Sequence, residues 1–242
     1  MLFLVFVYQS FVSSSVALAT EMEFGKPERN WEAYDSPRRF LVDNSWNVQF
    51  GTPSAENSYF SLGIALDSSD DVYITGNTEG SLYGTNAGSS DGWLAKRVGS
   101  DGSFSWGVQF GTALHDDAIA IAVDSGGDVV LTGSTKGDLH GSNAGDKDSW
   151  ISKRSGSDGS FIWGVQIGTI AEDYAVGVAV DYSGDVYTAG YTLGSLYATL
   201  RSAGNRDFWV TKRNGAFIWG LQHGSVDSDS GRGTQLDIRL SV

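Results

Sequence analysis

Apolar and polar positions along this chain alternate in short bursts, each closed by glycine, serine or aspartate. Ile119, Ile121 and Val123 alternate with the smaller Ala120 and Ala122, Ser125-Gly126-Gly127-Asp128 breaks the run, and a second burst begins at Val129. A period of two places side chains on one face of a strand, and a Gly/Ser/Asp cluster between two such bursts is a turn. The pattern predicts strand A over 119–124, strand B over 129–134, strand C over 149–154 after a long loop, and strand D over 161–168 after the turn Gly156-Ser157-Asp158-Gly159.

This four-strand unit recurs. Trp46-Asn47-Val48-Gln49-Phe50-Gly51-Thr52 returns as Trp106-Gly107-Val108-Gln109-Phe110-Gly111-Thr112, as Trp163-Gly164-Val165-Gln166-Ile167-Gly168-Thr169 and as Trp219-Gly220-Leu221-Gln222-His223-Gly224-Ser225. Ile64-Ala65-Leu66-Asp67 keeps the same beat through Asp124 and Asp181, and Trp93-Leu94-Ala95-Lys96-Arg97 returns at Trp150 and Trp209. Three phrases in register define a repeat of about 57 residues.

The faces of the strands say how the units pack. Trp106, Val108 and Phe110 share one face of strand D, and strand A is bulky on one face and small but apolar on the other. Both faces of each sheet must then be covered. A four-stranded sheet held between like sheets is a propeller blade, with strand A innermost. The quoted phrases, with Asp-x-Trp-x-x-Lys-Arg, resemble the bacterial-type beta-propeller repeat known as the SBBP repeat, over about residues 45–225. The resemblance implies propeller architecture in exported or cell-surface proteins with binding or scaffolding roles, and it brings no catalytic residues.

The expected fold is therefore all-β: three full blades plus a leading strand D at Trp46, forming an incomplete ring, since closed propellers hold roughly four to eight blades. The expected divisions are a leader at 1–19, an N-terminal segment at 20–44, repeats at 45–225 and a divergent tail at 226–242. The flanks offer two more strand-like pieces, Trp31-Glu32-Ala33-Tyr34 and Gln235-Leu236-Asp237-Ile238-Arg239-Leu240, and a small four-bladed ring completed by them is the alternative. In the open form the end blades expose apolar faces and self-association is expected.

Composition sharpens this reading. The chain has 32 Gly, 3 Pro and 12% aromatics, the balance of many short strands joined by tight turns. A net charge of −13 opposes nucleic acid and anionic membrane partners. With no cysteine, disulfides and thiolate chemistry are excluded. Residues 1–20 carry no charge, open with an apolar run from Leu2 to Tyr8 and reach Ala17-Leu18-Ala19, which predicts a cleavable signal peptide or an uncleaved anchor, hence a secreted or cell-surface protein.

Candidate chemistry is sparse. Asp67, Asp124 and Asp181 precede the A–B turns and are read as turn acceptors, like Trp46, Trp106, Trp163 and Trp219 structural residues of the repeat. Glu56, Asp116, Asp173 and Asp229 fall four residues after Thr52, Thr112, Thr169 and Ser225, on the D–A loops. They are the weak metal candidates, a carboxylate ring that would suit calcium, with Tyr59 an alternative to Glu56 in the first unit. Otherwise no cofactor is expected. His115, His140 and His223 share no repeat position, and the Lys-Arg pairs at 96, 153 and 212 read as structural partners of the surplus acids. Arg201 and Arg206, in the third B–C loop, are the one irregularity. The sequence favours a non-catalytic extracellular binding or scaffold module with a protein or glycan ligand. A secreted propeller hydrolase or lyase, or a cation-binding propeller, is the alternative.

Overall fold

In the computed structural model of the chain, residues 46–56, 63–197 and 206–224 are described, together with the backbone of Val5–Phe6. Among them every regular element is a strand. Val5–Phe6 (β1) and Asn47–Val48 (β2) form a two-residue antiparallel ladder. Most of the expected leader, the segment before Trp46, Tyr59, Arg201, Asp229 and the tail lie outside the described residues.

Three four-stranded sheets follow, each a sequential antiparallel meander. Blade 1 is β3 (Gly63–Leu66), β4 (Val72–Thr78), β5 (Asp91–Arg97) and β6 (Phe104–Phe110). Blade 2 is β7 (Asp116–Val123), β8 (Val129–Thr135), β9 (Asp148–Arg154) and β10 (Phe161–Ile167), and blade 3 is β11 (Asp173–Val180), β12 (Val186–Thr192), β13 (Asp207–Arg213) and β14 (Phe217–His223). The described residues do not close a ring.

Strand A starts three residues before its expected position in blade 2. Asp116 and Asp117 look like loop residues, yet they pair with Thr135 and Ser134, and a bulge between Ala118 and Ala120 interrupts the alternation. Blade 3 repeats the bulge between Ala175 and Gly177. An extra residue in one strand strengthens local twist, as a strand at the crowded centre of an arc requires.

The core lies between blades. Tyr73 and Leu94 of blade 1 cluster with Val129, Leu131 and Trp150 of blade 2, with Trp106, Val108, Phe110, Ile121 and Val123 closing over them. One blade further on, Val130 and Ile151 meet Val186, flanked by Trp163, Val165, Val178 and Val180. On the other side of blade 1, Trp46 and Phe50 of the leading strand cover Val72, Ile74 and Trp93, and Trp46 Nε1 donates to the Gly99 carbonyl at 2.8 Å.

The same positions are exposed where no blade adjoins. Ile64 and Leu66, equivalents of the packed Ile121 and Val123, are each 48% exposed. At the far end Leu221 is 63% and Trp219 37% exposed. Trp219 is thus not the core residue its repeat position implies. The fully enclosed tryptophans are Trp150 and Trp209 of strand C, each 0% exposed, which lie over strand-B glycines. A Cβ at Gly133 would come within 2.8 Å of the Trp150 ring, and one at Gly190 within 2.7 Å of Trp209.

Candidate functional site

The A–B turns of the three blades share one end of the molecule and carry a threefold polar motif. Asp67 Oδ1 accepts the backbone N–H groups of Ser69 (2.9 Å) and Asp71 (3.0 Å). Asp124 does the same for Gly126 and Asp128, and Asp181 for Ser183 and Asp185. Each leaves its other oxygen to the strand-C lysine. Lys96 lies 3.0 Å from Asp67 and 3.1 Å from Asp71, Lys153 2.7 Å from Asp124 and 3.2 Å from Asp128, and Lys212 3.6 Å from Asp181 and 2.7 Å from Asp185. Burial opposes ionisation of Asp67 and Asp124, but the lysine and turn N–H groups outweigh it and hold both carboxyls below their usual range. The lysines are held above theirs. Tyr73 adds a hydroxyl 3.3 Å from Asp67 Oδ2 and Tyr187 one 3.3 Å from Asp181 Oδ2, while Val130 stands at that position in blade 2.

These turns surround an open depression of about 990 Å³. Its wall includes Ser68, Ser69, Ser125 and Ser183, and Tyr182 stands at it with 90% of its surface exposed. Those four serine hydroxyls make no hydrogen bond to another described residue, because their turns are capped by the aspartates instead.

At the opposite end, Asp116 and Asp173 are fully buried at the starts of strands rather than at loop tips. Asp116 Oδ2 accepts Thr112 N at 2.6 Å and Thr112 Oγ1 at 2.9 Å, its Oδ1 accepts the Thr135 hydroxyl, and Asp173 binds Thr169 in the same way. In the first unit Glu56 plays this part by accepting Thr52 N. Asp116 and Asp173 each face a second carboxylate beside a glycine, Asp91 at Gly111 and Asp148 at Gly168. A Cβ at Gly111 would lie 2.2 Å from Asp91 Oδ1 and 3.1 Å from Asp116 Oδ2. Asp91 is held through Oδ2 by Ala87 N and Gln109 Nε2, and its buried Oδ1 has no partner among the described residues; Asp148 repeats this with Ala144 and Gln166. Burial first, and the neighbouring carboxylate with it, pushes the Asp116 and Asp173 carboxyls up. The acids are therefore tied to separate blade junctions. Among the described residues no three His, Cys, Asp or Glu side chains are placed to hold a metal ion.

The remaining residues singled out from sequence serve packing. His140 occupies the place of Tyr83 and Tyr197, stacked on Phe161 (5.4 Å, 19°) and edge-on to Trp150, as Tyr83 sits on Phe104 and against Trp93. It is a repeat position after all, hidden because the residue type changes. Burial, with the Arg154 charge, pushes His140 down to about 4, so it is neutral at ordinary pH. Of each Lys-Arg pair only the lysine meets acids. Arg97 and Arg154 lie over phenylalanine rings and donate to the turn carbonyls of Gly102 (2.9 Å) and Gly159 (3.0 Å).

Comparison with known proteins agrees with this geometry. The family model for the beta-propeller repeat, SBBP, matches residues 162–198, which run from strand D of blade 2 through strands A and B of blade 3. No curated protein matches the chain.

Proposed function

We propose that this chain, which carries the beta-propeller repeat, is a non-catalytic extracellular binding module that holds a neutral, hydroxyl-rich ligand of the glycan class in the depression at its A–B turns. One observation carries the reading: each ionisable group of the A–B motif is closed into an Asp–Lys–Asp set. General acid–base work needs a group poised near the operating pH. Here the Asp67 and Asp124 carboxyls are pushed down and the lysines up, so all stay charged and paired. What remains for a ligand is free serine hydroxyls and the exposed Tyr182 ring, a set that suits sugar hydroxyls and an apolar sugar face. The volume matches a small-molecule site, and a net charge of −13 favours neutral over polyanionic ligands. The uncharged, apolar start of the chain supports an exported protein.

The test is a glycan array followed by calorimetry with neutral oligosaccharides on the full chain. Saturable binding is expected, weakened about tenfold in Tyr182→Ala without a change in melting temperature. Absence of binding across the array would overturn the proposal, and so would cleaved or unsaturated products, which would place the chain among hydrolases or lyases.

A further inference from the structure

Neighbouring blades are built alike, so a cluster formed at only one blade junction is not demanded by blade packing. Such a cluster occurs where blades 2 and 3 meet, at the end bearing the D–A and B–C loops. The second residue of strand A is Asp117 in blade 2 but Tyr174 in blade 3. Its cross-strand partner is Ser134 in blade 2 but Tyr191 in blade 3. The residue before strand C is Ser90, then Lys147, then Arg206.

These substitutions assemble a layered group. The Tyr174 and Tyr191 rings stack with centroids 4.7 Å apart at 25°. Lys147 Nζ lies 5.2 Å from the Tyr174 centroid and donates to Asp117 Oδ2 at 2.9 Å. His115 approaches the other oxygen of Asp117 at 3.3 Å. Arg206 covers Tyr191, its guanidinium carbon 4.8 Å from the ring centroid.

Arg206 differs from the buried, ring-stacked Arg97 and Arg154 in what its edge does. Arg97 and Arg154 are under 9% exposed and spend Nη1 on a turn carbonyl. Arg206 is exposed, and among the described residues it makes neither a hydrogen bond nor an ion pair. A guanidinium anchored over a ring with no other partner offers its planar N–H fork to a carboxylate, which it can meet with two parallel hydrogen bonds. The Tyr174 and Tyr191 hydroxyls are likewise without a partner among the described residues. Burial and the charges of Glu172 and Asp117 push the Tyr174 phenol up to about 12, so it stays protonated as a donor.

We propose that this junction binds a carboxylate-bearing ligand of the sugar-acid class, its carboxylate on the Arg206 fork and its hydroxyls beside those of Tyr174 and Tyr191. A single carboxylate fits better than a phosphate dianion. Lys147 is already committed to Asp117, Glu172 adds negative charge beside the tyrosines, and the whole chain is strongly acidic. The site lies at the opposite end from the A–B depression and does not rest on the reading of that depression.

The experiment is calorimetric titration of the full chain with galacturonate, with glucose and inorganic phosphate as controls. Galacturonate is expected to bind saturably and more weakly at high salt, with Arg206→Met weakening it about tenfold or more and Glu172→Gln tightening it several-fold by removing a like charge. Arg206→Lys, which keeps the charge but not the fork, should recover only part of the affinity. Tyr182→Ala should leave it unchanged, which separates this site from the depression. No saturable binding, binding of glucose equal to that of galacturonate in a Tyr182→Ala background where the depression is weakened, preferential binding of phosphate, or an Arg206→Met variant with full affinity would each overturn the proposal.

Discussion

Replacing Asp91 by asparagine should stabilise the protein at neutral pH, although it alters a side chain that is 1% exposed. Asp91 and Asp116 share a dry space across Gly111, and burial plus the Asp91 charge raise the Asp116 carboxyl. A raised folded-state value means that the stabilising contribution is present below the unfolded value near 3.8 and is lost as pH climbs through the folded one. In Asp91→Asn the amide oxygen can keep the bonds from Ala87 N and Gln109 Nε2, and the NH₂ group takes the place of the unpartnered Oδ1 facing Asp116. A hydrogen bond to a buried charge is worth about 1.5–3 kcal/mol, and weakening two charge-assisted acceptor bonds costs about 1, leaving a gain of roughly 1 kcal/mol. Urea unfolding at about pH 5 and about pH 8 reads both effects: a higher midpoint for the variant, and a smaller loss between the two pH values. A variant that is destabilised at the higher pH, with an unchanged pH slope, would refute the reasoning.

Two further substitutions probe blade packing and turn geometry. Trp163→Ala opens the interface around Val130, Ile151 and Val186 and should cost about 3–5 kcal/mol, whereas Trp219→Ala, on an exposed face, should cost only about 1; equal losses in thermal unfolding would contradict the assignment of faces. Asp70 sits at φ 62° where blades 2 and 3 have Gly127 (86°) and Gly184 (82°), so Asp70→Gly should gain about 0.5 kcal/mol and Gly127→Ala lose about 1, and a reversed order of melting temperatures would count against it.

The repeat itself could be read directly, because strands B, C and D keep their alternation and their turns keep glycine and aspartate. Strand A could be read only in its second half. Its opening acids Asp116 and Asp117 have the composition of a loop, and their strand pairing depends on Thr135 and Ser134, whose approach is a matter of tertiary structure. Depth of burial was equally hidden. Each unit carries a strand-C and a strand-D tryptophan that look alike in sequence, and what distinguishes Trp150 is the glycine lying opposite it on strand B. The Thr-Gly phrase of that strand was the available signal. His140 escaped because a repeat position was occupied by a different ring. Arg206 was visible as an irregularity, but its place over Tyr191, which in turn stacks on Tyr174, joins residues that come together only through strand pairing and blade contact.

The central claim, that the A–B turns form the ligand-binding end, is tested most directly by amide hydrogen exchange of the full chain with and without the tightest neutral oligosaccharide from the array. Slowed exchange is expected at residues 67–71, 124–128 and 181–185 together, because one depression is walled by all three turns. Protection at the D–A end instead, or at one turn alone, would contradict the account.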